Sequence, residues 1–104
     1  MIAVFVTFDS DSLEAARVRK LAAEARGMFE GMAGLRHKFF TLGEKPNRAR
    51  NVYVWESDDA ARQFFSEQLL DRVTDLYGVR PQVEFAPIIE AVDNTTDQPA
   101  NSRC

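Results

Sequence analysis

The stretch from Gly34 to Trp55 constrains the fold more than any other part of the sequence. It consists of an apolar and aromatic run at 35–42, a polar loop at 43–50 and a second apolar and aromatic run at 51–56. Two such runs joined by a loop that contains proline and asparagine are typical of a β-hairpin. The hairpin holds the single histidine and the single tryptophan of the chain. We therefore expect the chemically active residues to lie on it.

The segment before the hairpin predicts a strand followed by a helix. Residues 2–8 are rich in β-branched and aromatic side chains, and both faces of this strand would be largely apolar. The helix is expected to begin within 9–12, where Asp11 and Glu14 resemble a capping box, and to run to about Met32. Its expected apolar stripe consists of Val18, Leu21, Ala25, Met28 and Met32.

The segment after the hairpin predicts one long helix and a last strand. Ser57 and Asp58 are suited to begin this helix, and Gly78 is suited to end it. Residues 82–92 alternate as a strand would. Pro87 lies within that strand and cannot donate a hydrogen bond to a neighbour, so the strand is expected at an edge or with a bulge.

The order strand, helix, strand, strand, helix, strand indicates the α+β ferredoxin-like βαββαβ fold. We expect a four-stranded antiparallel sheet with two helices on one face. The residues expected on the other face are Ala3, Phe5, Thr7, Ala86 and Ile88. That face is too apolar to remain in water, so we expect a homodimer whose sheets pack face to face as a dimeric α/β barrel.

A single domain is expected from the length of 104 residues. We place the barrel domain at 1–92 and a polar C-terminal tail at 93–104. The tail has no core of its own, so we expect it to pack on a neighbouring chain.

The composition and the motifs argue against several classes of protein. A net charge of −3 is not typical of a nucleic-acid binder. One histidine and the lone Cys104 leave no metal-ligand constellation and no intramolecular disulfide, and no glycine-rich phosphate loop is present. No apolar run approaches the roughly 20 residues that a membrane span requires. We therefore expect a cytoplasmic protein that uses no metal or other cofactor and binds neither nucleic acid nor a membrane.

The hairpin and the residues after it contain a series of motifs. Gly34 is followed by His-Lys-Phe-Phe-Thr at 37–41, Glu44-Lys45 lies in the loop, Val-Tyr-Val-Trp occupies 52–55, and Asp-Asp-Ala-Ala occupies 58–61. In these motifs, and in the order of its elements over 1–93, the chain resembles the YdhR-like mono-oxygenase family of the dimeric α/β-barrel superfamily. One departure is His37, where the family usually has tryptophan. The resemblance implies a cofactor-independent mono-oxygenase that acts on a small aromatic or quinonoid substrate.

Such a reaction needs an apolar cavity, a base and a hydrogen-bond donor, because a deprotonated aromatic substrate is electron-rich enough to reduce O2 itself. His37 is the candidate base, since the ordinary pKa of histidine is about 6.5. Tyr53, Trp55 and Asn51 share one face of their strand and are the candidates to shape and polarise the catalytic site.

Phe39, Lys38, Arg50 and Tyr77 are the candidates for substrate binding. Lys38 and His37 point to opposite faces of a regular strand, so a shift of one residue in register would exchange the two in the site. All these side chains also have purely structural explanations, such as core packing for the rings and solvation or a salt bridge for the cations.

Two other functions are consistent with the same sequence. The chain could be a non-catalytic dimeric module that binds a small ligand or assists another enzyme. It could also be an isomerase or a cyclase on the same scaffold, because a fold does not determine a reaction.

Overall fold

Four strands and three helices make up the part of the chain that the computed structural model describes, residues 1–10, 13–43 and 47–95. The strands are β1 (Ile2–Asp9), β2 (Leu35–Leu42), β3 (Arg48–Trp55) and β4 (Gln82–Pro87), and the helices are α1 (Ala15–Phe29), α2 (Asp58–Phe64) and α3 (Glu67–Tyr77). All pairings between the strands are antiparallel, and the order in the sheet is β2-β3-β1-β4. The predicted ferredoxin-like fold is therefore confirmed.

One face of the sheet packs against the helices and forms the core. We call it the helix face. In β1 it carries Ile2, Val4, Val6 and Phe8, each at most 3% exposed. The alternation predicted for this strand is confirmed, because the residues between them are less buried and point to the opposite side.

The opposite side of the sheet is called the bare face here, because the helices leave it open. It carries Ala3, Phe5, Thr7, His37, Phe39, Thr41, Arg50, Val52, Val54, Gln82, Glu84 and Ala86, as the strand register shows. Its side chains are half-buried or exposed, and Phe39 is 55% exposed. Most of the residues expected on this face are confirmed there.

Helix α1 is shorter than the sequence predicts. It begins at Ala15 rather than within 9–12, and it ends at Phe29 rather than at Met32. Leu13, which is 1% exposed, packs in the core before the helix begins. The predicted capping role of Asp11 lies outside the described residues.

The single helix predicted after β3 is divided into α2 and α3. The break falls at Phe65, whose backbone leaves the helical region, and Ser66 begins a new helix by accepting a hydrogen bond from the Leu69 amide at 3.2 Å. Phe64 at the end of α2 and Phe65 at the break both pack on Trp55. Gly78 ends α3 at φ 79° as predicted.

Strand β4 ends at Pro87 instead of continuing to 92, and β4 is an edge strand as predicted. Beyond it Ile89 is 95% exposed and Val92 is 81% exposed. The packing expected of the tail concerns mainly residues 96–104, which lie outside the described residues.

Candidate functional site

A cavity of about 80 Å³ lies between the helix face of the sheet and the helices. Residues of β2 and β3 form its floor, and rings from all three helical segments form its walls. The residues that line the cavity include Phe29, Lys38, Phe40, Asn51, Tyr53, Phe64, Phe65 and Tyr77.

The register of β2 on β3 decides which side chains reach this cavity. Lys38 pairs with Tyr53 and Phe40 pairs with Asn51, so these four side chains share the helix face. An irregularity between Leu35 and His37 precedes the pairs. It places an extra residue in β2 and thereby sets which of its side chains face the helices.

The ring of Tyr53 is the centre of an aromatic cluster. It meets Phe65 edge-on at 4.9 Å between ring centres, and it lies 6.0 Å from Phe29 and 5.9 Å from Phe64. Edge-on and tilted pairs place the positive ring edge near a negative ring face, which contributes about 0.5–1.5 kcal/mol per pair beyond area burial. The cluster gives the cavity rigid, flat, apolar walls.

Lys38 extends into this aromatic cluster. Its Nζ atom lies 3.7 Å from the centre of the Tyr53 ring, 4.1 Å from that of Phe29 and 4.3 Å from that of Phe40. Within residues 1–10, 13–43 and 47–95, Lys38 makes no hydrogen bond and no ion pair. The ammonium therefore has ring faces around it where a buried lysine usually has a carboxylate.

Burial lowers the pKa of Lys38 to about 7, because desolvation disfavours the charged form. The three rings act in the opposite direction, since their negative faces attract the ammonium. Both the free amine and the ammonium are therefore populated near neutral pH. A group of this kind can accept a proton, hold an anion or attack a carbonyl carbon.

Asn51 and Tyr77 supply polar groups to the same cavity. Asn51 is 4% exposed, and the Tyr77 ring stacks on Phe8 with centres 3.9 Å apart. Burial raises the pKa of Tyr77, and a hydrogen bond with the Asn51 side chain opposes that shift. Burial also raises the pKa of Tyr53. Both phenols therefore stay protonated at neutral pH and can donate a hydrogen bond.

The mouth of the cavity is bordered by apolar side chains that meet solvent. Met28 of α1 is 60% exposed and Leu76 of α3 is 49% exposed, and both line the cavity. Arg17 donates a hydrogen bond to the Leu76 carbonyl at 2.9 Å, which ties α1 to the end of α3. Since the cavity is small, a ligand larger than one ring must displace these border side chains to bind. The flexible side chain of Met28 is suited to such a movement.

Lys38 also borders a groove at the edge of the sheet. This groove, of about 280 Å³, lies where α1 ends and β2 begins. Its charged and titratable residues are Arg26, Glu30, Arg36, His37 and Lys38. The Lys38 side chain therefore separates the apolar cavity from a polar groove that is open to solvent.

Trp55 lies beside the cavity without lining it. Its ring is 2% exposed and stacks with that of Tyr53 at 6.3 Å. The indole Nε1 is buried, and it has no hydrogen-bond partner among the described residues. Trp55 supports the wall that Tyr53 forms, and its expected role as a donor to a substrate stays a prediction.

His37, Phe39 and Arg50 lie on the bare face and not in the cavity. The rings of His37 and Phe39 are stacked at 6.2 Å, and the Arg50 guanidinium lies 4.7 Å from the centre of the Phe5 ring. This corrects the grouping expected from the sequence, because His37 faces away from the catalytic candidates of β3. The expected catalytic role of His37 itself stays a prediction.

Five phenylalanines of the cavity were not among the expected site residues: Phe8, Phe29, Phe40, Phe64 and Phe65. The sequence contained an indication for Phe29, because this residue follows Ala25 of the apolar stripe by four positions and therefore lies on the same side of the helix. For Phe40 the signal was its alternation with Lys38 in β2. Phe64 and Phe65 fit a helical period in the sequence, and the structure packs both against the buried core.

The described residues contain no group of three or more histidine, cysteine, aspartate or glutamate side chains that could hold a metal ion.

None of the helices described here is long and apolar enough to cross a membrane.

Several solved structures share this architecture. One is SnoaB, a cofactor-independent oxygenase from Streptomyces nogalater, with 17% identity, 88% of this chain and 95% of that chain covered, and a TM-score of 0.65. Another is a monooxygenase from the gene ActVA-Orf6 of Streptomyces coelicolor in complex with Nanaomycin D, with 18% identity, 88% and 91% covered, and a TM-score of 0.63. A protein of unknown function from Nitrosomonas europaea has 15% identity, 91% and 95% covered, and a TM-score of 0.68.

This chain has the fold of these oxygenases. No protein-family model matches its sequence, and no curated protein is similar to it. The resemblance to the YdhR-like family therefore stays a prediction from the motifs, whereas the ferredoxin-like fold is shown.

Proposed function

We propose that this protein is a cofactor-independent mono-oxygenase that oxidises a small aromatic or quinonoid substrate in the cavity between the sheet and the helices. The observation that carries the proposal is the amine of Lys38 at the wall of an aromatic cavity, without an ion pair in the described part of the chain. Flat apolar walls suit a ring system, and a base in an apolar site suits an acidic C–H or O–H group.

The proposed reaction begins with deprotonation of the substrate. A CH2 group flanked by aromatic rings and a carbonyl, as in anthrone, gives a carbanion that transfers electrons to O2 and forms a carbon–oxygen bond. The resulting peroxide loses one molecule of water and leaves a new carbonyl group. The four electrons that O2 accepts all come from the substrate, so one oxygen atom enters the product and the other leaves as water.

Lys38 takes the part of the base in this proposal, in place of His37. The free amine accepts the substrate proton, and the ammonium that forms then stabilises the enolate beside it. Asn51 and Tyr77 are proposed to donate hydrogen bonds to a substrate oxygen, and Tyr53 is proposed to stack on the substrate ring. Trp55 is proposed to hold the Tyr53 ring in place.

The comparisons support this proposal through the fold. One protein of the same fold is described as a cofactor-independent oxygenase, and another is a monooxygenase seen with Nanaomycin D. A scaffold that serves such chemistry elsewhere raises the expectation of it here, although the residues of this chain must supply the mechanism.

The homodimer belongs to the same proposal. The bare face combines half-buried apolar residues of its central strands with the exposed ring of Phe39. A second copy would cover this face with its own, and His37 and Arg50 would then lie at the interface with Phe39. Contact over roughly 1,000 Å² or more is needed for a stable pair.

The test is oxygen consumption with anthrone as the probe substrate. We expect uptake of O2 above the rate without protein, and one atom of labelled oxygen in the product when 18O2 is supplied. Turnover should rise as the pH increases through about 7, because the free amine of Lys38 becomes the major form.

Two other results would redirect the proposal. Binding of anthrone without oxygen consumption would favour a ligand-binding module. A product that also forms in the absence of oxygen would favour an isomerase or a cyclase. Either result would contradict the mono-oxygenase.

A further inference from the structure

The two lysines of the described chain differ in exposure and in surroundings. Lys20 is an exposed residue of α1. The Lys38 amine lies 3.7–4.3 Å from the centres of three rings and borders both the cavity and the groove at the sheet edge. The Lys38 amine is thus desolvated on one side and can be approached on the other.

We propose that Lys38 is a covalent capture site for small apolar aldehydes and ketones, which its amine binds as an imine. This inference goes beyond oxygenation, because it requires neither oxygen nor an acidic substrate. It holds whether or not the protein proves to be a mono-oxygenase.

The proposed step balances without a co-reactant. The nitrogen lone pair attacks the carbonyl carbon, and one amine proton passes to the carbonyl oxygen to give a carbinolamine. The second amine proton passes to the hydroxyl group, which leaves as water while a carbon–nitrogen double bond forms. The reverse reaction consumes water, so an apolar cavity favours the imine over its hydrolysis.

The surroundings of Lys38 suit each part of this step. The rings of Phe29, Phe40 and Tyr53 offer contact to an apolar aldehyde that binds between them. Asn51 and Tyr77 line the same cavity and carry donors suited to a carbonyl oxygen.

The protonation state supports the same conclusion. Because burial lowers the pKa of Lys38 to about 7, a large fraction of the amine is free at neutral pH. The titratable and charged groups that border it are Tyr53 and Tyr77 in the cavity and Arg26, Glu30, Arg36 and His37 in the groove. Within the described residues none of them forms an ion pair with Lys38.

The experiment uses benzaldehyde as the probe and sodium cyanoborohydride to reduce any imine to a stable benzylamine. The folded protein is treated at pH 7, and the rate of labelling at each amine is followed by peptide mass spectrometry. We expect Lys38 to be labelled at least about tenfold faster than Lys20, since the free-amine fraction of an ordinary lysine is small at this pH. The α-amino group of Met1 serves as a reference amine of ordinary reactivity.

Two controls make the result specific. Labelling in concentrated urea should remove the difference between Lys38 and Lys20, because the rings and the cavity are then lost. Lys20→Arg should leave labelling at Lys38 unchanged, and Lys38→Arg should abolish the fast phase. The comparison within the wild-type protein stands even where a variant fails to fold.

Equal labelling of Lys38 and Lys20 in the folded protein would overturn the proposal. So would a preference for Lys38 that persists in urea, because the reactivity would then not depend on the folded site. The same labelling carried out without oxygen should give the same rates, which separates this inference from the oxygenase.

Discussion

The two faces of the sheet carry different chemistry although they are built from alternate residues of the same strands. On the helix face Lys38, Asn51 and Tyr53 line an apolar cavity, and the adjacent Trp55 is 2% exposed. On the bare face His37, Arg50 and Val52 are exposed or half-buried. Neighbours in sequence such as His37 and Lys38 therefore lie in different environments.

Histidine is the usual candidate for a base at neutral pH. The comparison of the two faces shows that the fold places a lysine in the cavity instead. Lysine has an ordinary pKa of about 10.4, yet burial lowers the pKa of Lys38 to about 7. Burial thus brings the pKa of this lysine close to the ordinary pKa of histidine.

The largest expected effect is a loss of stability on substitution of Trp55, which lies on the helix face. It compares the two faces by how much each contributes to stability. Trp55→Ala should lower the free energy of unfolding by about 3–5 kcal/mol, because it leaves a cavity in the aromatic cluster. Val54→Ala, one residue away on the bare face, should cost about 1 kcal/mol. Urea unfolding of the two variants measures the difference, and equal losses would show that the two faces pack alike.

The second expected effect is on anthrone turnover, which compares substitutions on the two faces. Lys38→Met keeps the length and apolar contacts of the side chain but removes the amine, and it should lower anthrone turnover by about 10²-fold or more. His37→Gln on the bare face should change turnover less than about threefold, since a general base must lie within hydrogen-bonding reach of the proton that it removes. The opposite ranking would return the catalytic role to His37 and contradict the assignment of the base.

The third effect concerns the proposed dimer. Phe39→Asp on the bare face should weaken the dimer by roughly 2 kcal/mol, or about 30-fold, because an aromatic anchor is replaced by a charge that must be desolvated. Met28→Asp is the control, since Met28 is about as exposed as Phe39 but lies on the helix side. Native mass spectrometry reports both, and a wild-type protein that is monomeric throughout would contradict the pairing of bare faces.

The last effect, the smallest when taken per pH unit, is a dependence of stability on pH. The pKa of Lys38 is lower in the folded protein than in an unfolded chain, so the unfolded state binds more protons between about 7 and 10.4. Stability should therefore rise with pH across this window, by at most about 1.4 kcal/mol per pH unit. Urea unfolding at several pH values should show a smaller slope for Lys38→Met than for the wild type. Equal slopes would mean that Lys38 is not desolvated.

Much of the fold could be predicted because it depends on patterns within short segments. The period-two alternation of 2–8, the helix end at Gly78 and the edge position indicated by Pro87 depend on the local backbone, and the structure bears them out. Gly34 adopts φ +83°, and a side chain there would approach the Ala60 Cβ to 3.1 Å, so both the conformation and the space favour glycine.

The division of the predicted second helix could not be foreseen from periodicity. Helical spacing accommodates Phe64 and Phe65 in one continuous helix, and no proline or glycine interrupts them. In the structure both rings pack on Trp55 of another element. Such contacts join residues that are distant in the sequence, and tertiary contacts of this kind override local propensity.

The sequence by itself determined the order of the elements, the alternation of each strand and the set of residues from which a site could be built. Only the tertiary structure decided which face of β2 joins which face of β3, because cross-strand register depends on the irregularity between Leu35 and His37. That choice placed Lys38 rather than His37 in the cavity. It also brought the Lys38 amine among the rings of Phe29 and Tyr53, and desolvation by such distant residues is a property that no local pattern encodes.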